Sequence, residues 1–280
     1  MVVRSNVSTA AAVLWIDGPD AAEELALARA WIAAQVDVLD APSVAAAIAT
    51  PPAAFADRSP AAILVAAAAP ASPRLADCIA ISRRWPLAPV VSVAATLVEG
   101  RRRSGPHLQG IEEIAWNELP GRMAWWLRDR GDGVPGTLGM PATARRDERM
   151  LEAARRIAEA PPPRSGRIVV AAPHPLDAEG LADLVAATGH EVVARHVGRP
   201  PIDHQADAVV WDTGLLGDAQ ITWLGMTVAN RPDAPVVLLD AFPRADTARL
   251  AVHAGAAAVL GRPVSLESLS GVLHAAAARL

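Results

Sequence analysis

Two aspartates and one arginine in the second half of the chain have the residue types and positions of a charged site. Asp212 and Asp240 each end a stretch of apolar residues, and Arg262 follows a third such stretch. A guanidinium can clamp two carboxylates through planar, bidentate contacts. The set therefore predicts a permanent ion-pair cluster in which Arg262 holds both Asp212 and Asp240.

The elements that must position these side chains are short apolar stretches. Such stretches, bounded by polar or chain-breaking residues, are typical of buried parallel strands. Helix-like segments lie between them, and strands that alternate with helices indicate a doubly wound parallel sheet. The predicted strands of the second half are residues 167–172, 191–195, 207–212, 234–240 and 256–260.

The first half of the chain repeats the pattern of the second half. Residues 86–91 match residues 232–237 at all but one position, and the same register aligns residues 61–66 with 207–212. A duplicated fold explains this pattern, and chance matching of alanine-rich sequence is the alternative. The predicted strands of the first half are residues 11–16, 36–39, 61–66, 86–91 and 111–116.

A segment rich in glycine and proline separates the two halves. It predicts three parts: a domain of residues 1–130, a linker of residues 131–165 and a domain of residues 166–280. The linker contains a helix-like stretch, residues 143–160. We expect this helix to pack on its own domain, while pairing with a second protomer or another protein is the alternative. Its predicted apolar stripe consists of Met150, Leu151, Ala154, Ile157 and Ala158.

Composition excludes several kinds of chemistry. All 26 basic residues among the 280 are arginine, so a catalytic, Schiff-base or phosphate-binding lysine is excluded. The net charge of −4 argues against a nucleic acid or an anionic membrane as partner. The single cysteine, Cys78, cannot form an intramolecular disulfide, which fits a reducing cytoplasm. No nucleophile elbow, phosphate-binding glycine-rich loop or metal-ligand spacing occurs, so we predict no cofactor and no metal.

Residues 167–280 resemble the receiver domain of bacterial response regulators. Three places carry the resemblance: Asp212 at the end of the third strand, the apolar residues 236–239, and residues 254–263, which contain an alanine-glycine-alanine turn, a strand and an arginine-proline pair. The resemblance implies a flavodoxin-like sheet of strand order 2-1-3-4-5. It also implies that Asp212 occupies the position of the aspartate that accepts a phosphoryl group with the help of magnesium.

The residues that assist this reaction in receivers are changed here. The acidic pair after the first strand falls at Ala172 and Pro173, neither of which can ligate a hard cation. Asp240 replaces a strand-four hydroxyl, and Arg262 replaces the lysine before the proline. We therefore interpret Asp212 as an inactive phosphoacceptor position paired to Arg262, and a residual phosphorylation site is the alternative.

The corresponding positions of the first half have lost more of the receiver pattern. Ala66 falls at the position of Asp212, and Ala94 falls at that of Asp240. Only Asp17, which follows the first strand, corresponds to the acidic pair of receivers. A single carboxylate does not make a metal site.

The sequence favours a non-enzymatic, cytoplasmic protein of two pseudo-receiver domains that regulates or scaffolds by protein contact. The alternative is a small-ligand sensor or vestigial enzyme that uses the crevice at the carboxyl ends of the strands. Residues 265–280 predict a final helix capped by Ser265, with Leu266, Leu269, Leu273 and Leu280 toward the sheet. In receivers the surface near this helix often forms dimers, so a homodimer through this face is a further expectation.

Overall fold

The computed structural model describes residues 12–17, 23–69, 72–98, 111–131, 137–140, 144–159 and 165–277. The chain forms two compact units. The first comprises residues 1–119 and 126–145, and the second comprises residues 120–125 and 146–280. The second unit therefore includes the helix that the sequence assigns to a linker, together with a short segment from further upstream.

The first unit contains a five-stranded parallel sheet. Its strands are β1 (Val13–Ile16), β2 (Val38–Ala41), β3 (Ile63–Ala67), β4 (Val90–Ala94) and β5 (Glu112–Ala115), in the order β2-β1-β3-β4-β5. Its helices include α1 (Glu23–Ala33), α2 (Val44–Ala49) and α3 (Leu75–Arg84). Helix α4 (Leu119–Gly131) follows β5 and contains the segment 120–125 that belongs to the second unit.

The second unit contains a second five-stranded parallel sheet. Its strands are β6 (Arg167–Ala172), β7 (Glu191–Val197), β8 (Ala208–Asp212), β9 (Val236–Asp240) and β10 (Ala256–Gly261), in the order β7-β6-β8-β9-β10. Its helices include α5 (Arg146–Glu159), α6 (Pro175–Ala187), α7 (Asp218–Asn230), α8 (Ala245–His253) and α9 (Leu266–Ala277). The predicted doubly wound, flavodoxin-like fold with strand order 2-1-3-4-5 is confirmed for both sheets. No helix within the described ranges is long and apolar enough to span a membrane.

Prolines decide where two equivalent strands begin. The sequence predicts a strand over residues 86–91, but β4 begins only at Val90. A proline has no N–H and can give a strand ladder only its carbonyl group. The Pro89 carbonyl accepts the main-chain N–H of Ile63 at 2.9 Å, and the Pro235 carbonyl accepts that of Val209 at 3.0 Å. The two sheets thus use the repeated proline in the same way.

The connection between β7 and β8 departs from the predicted alternation of strands and helices. Residues 198–207 contain no helix. Gly198 adopts a positive φ of 90°, outside the right-handed helical region, and it is followed by Pro200 and Pro201, neither of which has a main-chain N–H to donate. Side chains of β8, of α7 and of Arg231 donate hydrogen bonds to carbonyl groups of this segment.

Helix α9 corresponds to the predicted C-terminal helix. The Ser265 hydroxyl accepts the main-chain N–H three residues later at 3.1 Å, which is the geometry of an N-cap. Leu269 and Leu273 are buried, and Leu266 is half-buried. Leu280 lies outside the described residues. The cap and two of the four predicted inward positions are therefore confirmed.

Segment 120–125 crosses α9 at very short range within the second unit. A Cβ atom placed on Gly271 would lie 1.9 Å from the main-chain oxygen of Gly121, so no side chain fits there. Beside this crossing, Arg122 Nε lies 2.9 Å from Glu267 Oε2, and both side chains are buried. A backbone contact and a buried ion pair thus fix the segment on α9.

Helix α5 also packs against α9, with a different face from the predicted one. Ala153 and Ile157 are buried, whereas Met150 and Leu151 are exposed. The predicted stripe is therefore wrong at three positions, because Ala158 is exposed as well as Met150 and Leu151, and Ala153, which was not part of the stripe, is buried beside Ile157. Residues 267–273 of α9 are buried inside the second unit, so a homodimer through this helix would require those contacts to be released.

Candidate functional site at the strand ends of the second sheet

The predicted charged residues lie at one edge of the second sheet. Asp212 and Asp240 are the last residues of the neighbouring strands β8 and β9, and both are buried. Arg262 follows the adjacent strand β10, whose last residue is paired with Asp240. The parallel order of these three strands brings the side chains together, because their carboxyl ends share one edge.

Arg262 bridges two carboxylates at this edge. Its Nη1 atom lies 3.0 Å from Asp212 Oδ2, and its Nη2 atom lies 3.5 Å from Asp177 Oδ1. The Asp212 side chain is 6% exposed, whereas those of Arg262 and Asp177 are about one-third exposed at 36% and 33%. The guanidinium therefore screens a buried carboxylate from the solvent side.

The predicted clamp of Asp212 and Asp240 by Arg262 is wrong in its second partner. The Arg262 main-chain N–H donates to the Asp240 carbonyl at 3.0 Å, and the Arg262 side chain extends to Asp212 and Asp177. The Asp240 carboxylate instead accepts the main-chain N–H groups of Phe242 at 3.1 Å and Leu216 at 3.4 Å. Asp240 is turned toward the loops that follow β8 and β9, where amide dipoles stabilise its charge.

Asp177 is the site residue that sequence reasoning missed. It lies in the first turn of α6, the helix that follows β6. The receiver pattern directs attention to Ala172 and Pro173, directly after the strand, and neither carries a ligand atom in its side chain. The sequence did contain a signal for Asp177: it is an acidic residue in the first turn of a helix that starts at the carboxyl edge of the sheet.

The environment of Asp212 contains opposing electrostatic effects. Burial raises the pKa of the Asp212 carboxyl above its ordinary value, and the charges of Asp177 and Asp240 act in the same direction. The Gly214 main-chain N–H, which donates to Asp212 Oδ1 at 2.9 Å, and the Arg262 guanidinium lower this pKa. The net direction is upward, so the ion pair does not fully offset the loss of water around the buried carboxylate.

The residues at this edge do not fit a magnesium ion. Magnesium requires a near-octahedral set of oxygen ligands. Here the Arg262 guanidinium already contacts both Asp177 and Asp212, and Ala172 and Pro173 contribute no side-chain oxygen. Among the residues that the structure describes, no group of three or more histidine, cysteine, aspartate or glutamate side chains is placed to hold a metal.

The equivalent edge of the first sheet has a different composition. Ala66 and Ala94 are buried near the ends of β3 and β4, so neither strand end carries a carboxylate. Asp17 follows β1, and its Oδ1 atom accepts the indole N–H of Trp15 at 2.6 Å. The carboxylate is thus used in a local contact with its own strand.

Comparisons with known proteins identify similar solved structures. No family model matches the chain, and no curated protein matches it. Each unit is receiver-like in fold. One similar structure is a protein named as a pilus assembly protein of Burkholderia thailandensis; it shares 25% identity, covers 40% of this chain and 98% of that chain, and has a TM-score of 0.37. Another is the signal receiver domain of a response regulator of Mycobacterium tuberculosis; it shares 23% identity, covers 41% of this chain and 98% of that chain, and has a TM-score of 0.37.

A third similar structure is a response regulator of Burkholderia pseudomallei that contains a phosphorylated aspartic acid, a calcium ion and citrate. It shares 21% identity, with 38% of this chain and 65% of that chain covered and a TM-score of 0.34. Identities and scores of this size carry no conclusion on activity. The assignment of the fold rests on the strand order observed in the two sheets.

Proposed function

We propose that this protein is a regulatory or scaffolding element of bacterial signalling that acts by protein contact and without phosphotransfer. The observation that carries the proposal is the position of the Arg262 guanidinium, in contact with both Asp177 and Asp212. In a working receiver a divalent cation neutralises this edge when the phosphoryl group arrives. Here the Arg262 guanidinium, a permanent cation of the chain itself, contacts Asp212 at the phosphoacceptor position and Asp177 in the following helix.

Charge at the edge also opposes phosphorylation of Asp212. Three carboxylates, those of Asp177, Asp212 and Asp240, lie at this edge, and its one guanidinium contacts only Asp177 and Asp212. A phosphoryl group on Asp212 would add negative charge in a buried position, and phosphoryl transfer depends on neutralising that charge in the transition state. With no lysine in the chain and no fitting metal ligands, the second unit lacks the groups that supply this neutralisation.

Exposed apolar side chains beside the cluster support a role in protein contact. Leu176 of α6 is 79% exposed, Leu215 after β8 is 69% exposed, and Phe242 after β9 is 54% exposed. All three follow the carboxyl ends of neighbouring strands, at the edge where Arg262 lies. Large apolar residues that remain exposed around a charged centre are typical of protein-binding surfaces.

Beryllofluoride tests the proposal, because it mimics a phosphoryl group on the aspartate of receivers. We expect no saturable change in tryptophan fluorescence when beryllofluoride and magnesium are added to the full chain. Trp211, one of the eight tryptophans of the chain, directly precedes Asp212 and would report a change at the site. Arg262→Lys is the matched variant that restores the receiver lysine, and the comparison shows whether the arginine alone blocks the response. A saturable change in the unmodified chain that Asp212→Asn abolishes would contradict the proposal.

A further inference from the structure

The segment of residues 198–207, which we call the crossover strap, is held by side chains instead of its own helix. Its carbonyl groups accept hydrogen bonds at several points along its length. The donors are Trp211 Nε1 to Gly198 at 2.9 Å, Trp223 Nε1 to Pro200 at 2.9 Å, Asn230 Nδ2 to Ile202 at 2.9 Å and Arg231 Nη1 to His204 at 2.8 Å. The strap is thus attached to β8 and α7 by bonds that can be broken without unfolding either element.

His204 lies at the last of these attachments and is buried. Its Nδ1 atom accepts the main-chain N–H of Ala206 at 3.3 Å, so the ring hydrogen of the neutral form is on Nε2. Nε2 is itself buried and has no hydrogen-bond partner among the described residues. The ring is therefore arranged for one neutral tautomer only.

We propose that His204 is an acid-sensitive latch that holds the crossover strap while neutral and releases residues 203–206 when protonated. A proton on Nδ1 would face the Ala206 N–H, so two donors would oppose each other and that hydrogen bond would be lost. The new cation would have no acceptor at Nε2, and a buried ring without partners does not tolerate a charge. Release exposes the ring to water, which solvates both N–H groups.

The charged groups on the surrounding elements oppose protonation on balance. Arg231, at the end of α7, donates to the His204 carbonyl at 2.8 Å and to the Ala206 carbonyl at 3.4 Å, which places a cation beside the ring. Asp203 acts in the opposite direction. On the side of β6, Arg167 donates through its main-chain N–H to Asp207 Oδ2 at 2.7 Å and through Nη1 to the Gln205 carbonyl at 3.2 Å.

Burial and Arg231 together lower the pKa of His204 below its ordinary value. A histidine with a lowered pKa in the closed state binds a proton more readily when the strap opens. The closed strap is therefore fully favoured above about pH 6.5, the ordinary histidine pKa, and is increasingly disfavoured as the pH falls below that value.

Amide hydrogen exchange of the full chain tests the latch directly. After correction for the intrinsic pH dependence of exchange, we expect the protection of the Ala206 amide to fall by about tenfold per pH unit below about pH 6.5. The amides of β8 should keep their protection over the same range. His204→Gln should remove the pH dependence, while His253→Gln, at an exposed histidine of α8, should leave it unchanged.

A second buried histidine provides a further control. The Nδ1 atom of His190 accepts the Gly166 N–H at 3.0 Å, and burial and His274 lower the pKa of His190 as well. His190→Gln should leave the pH dependence of the Ala206 amide intact. If His204→Gln does not fold, the ring nitrogens of His204 can be titrated by NMR in the unmodified chain. Strap protection that is independent of pH, or an opening that does not coincide with His204 titration, would overturn the proposal.

Discussion

Replacing Gly271 with valine should destabilise the second unit by about 3 kcal/mol, because there is no space for a side chain at this position. Even a Cβ atom would lie 1.9 Å from the main-chain oxygen of Gly121, and backbone cannot move aside as the end of a flexible side chain can. The buried pair of Arg122 and Glu267 sits beside the crossing, so a shift of segment 120–125 would also separate two buried charges.

A matched glycine in the same unit gives the opposite expectation. Gly180 lies in α6, and a Cβ atom placed there would have nothing within 4 Å. Gly180→Ala should stabilise the protein by about 0.5–1 kcal/mol, since alanine loses less backbone entropy than glycine on helix formation. Urea unfolding of Gly271→Val, Gly180→Ala and the unmodified chain measures both effects. Equal free energies of unfolding for Gly271→Val and the unmodified chain would show that the crossing leaves room for a side chain at Gly271.

Substitutions in the charged cluster should change stability in opposite directions. Arg262→Ala leaves the buried Asp212 carboxylate without its guanidinium partner and should cost about 1–3 kcal/mol at pH 7. The effect should stay below that of breaking a fully buried pair, because the Arg262 side chain is 36% exposed and water can replace part of the contact. Asp212→Asn removes the buried charge and should raise the free energy of unfolding at the same pH.

The pH dependence of Asp212→Asn follows from the raised pKa of Asp212. A carboxyl with a raised pKa in the folded state favours folding at acid pH, and this contribution is lost as the pH rises through the raised value. The advantage of Asp212→Asn should therefore be small below about pH 4, the ordinary aspartate pKa, and should increase toward neutral pH. Denaturation at a series of pH values measures it. A loss of stability in Asp212→Asn similar to that in Arg262→Ala would mean that the ion pair is net stabilising, contrary to this account.

The strands were the most predictable part of the fold. In a parallel sheet that is covered on both faces, strands consist of continuous apolar runs, and the limits of β6 agree with the prediction at both ends. Strand ends placed Asp212, Asp240 and Arg262 at one edge by topology alone. Which carboxylates the arginine would contact depended on side-chain direction, which strand order does not determine.

The departures from prediction arise where long-range contacts replace local ones. The crossover strap has no helix, and its carbonyl groups accept hydrogen bonds from distant side chains: Trp223 and Asn230 lie more than 20 residues away from the carbonyls they bind. The exposed Met150 and Leu151 look equivalent in sequence to the buried Ile157. The packing of α5 against α9 buries Ile157 and Ala153 and leaves Met150 and Leu151 exposed.

Intact-mass spectrometry tests most directly the proposal that the second unit does not carry out phosphotransfer. The full chain is incubated with acetyl phosphate and magnesium, with Asp212→Asn as the matched control. Because Arg262 contacts the carboxylates where a cation would be needed, we expect no adduct of one phosphoryl group in either protein. A phosphoryl adduct on the unmodified chain that is absent from Asp212→Asn would contradict the claim and make this unit a working receiver.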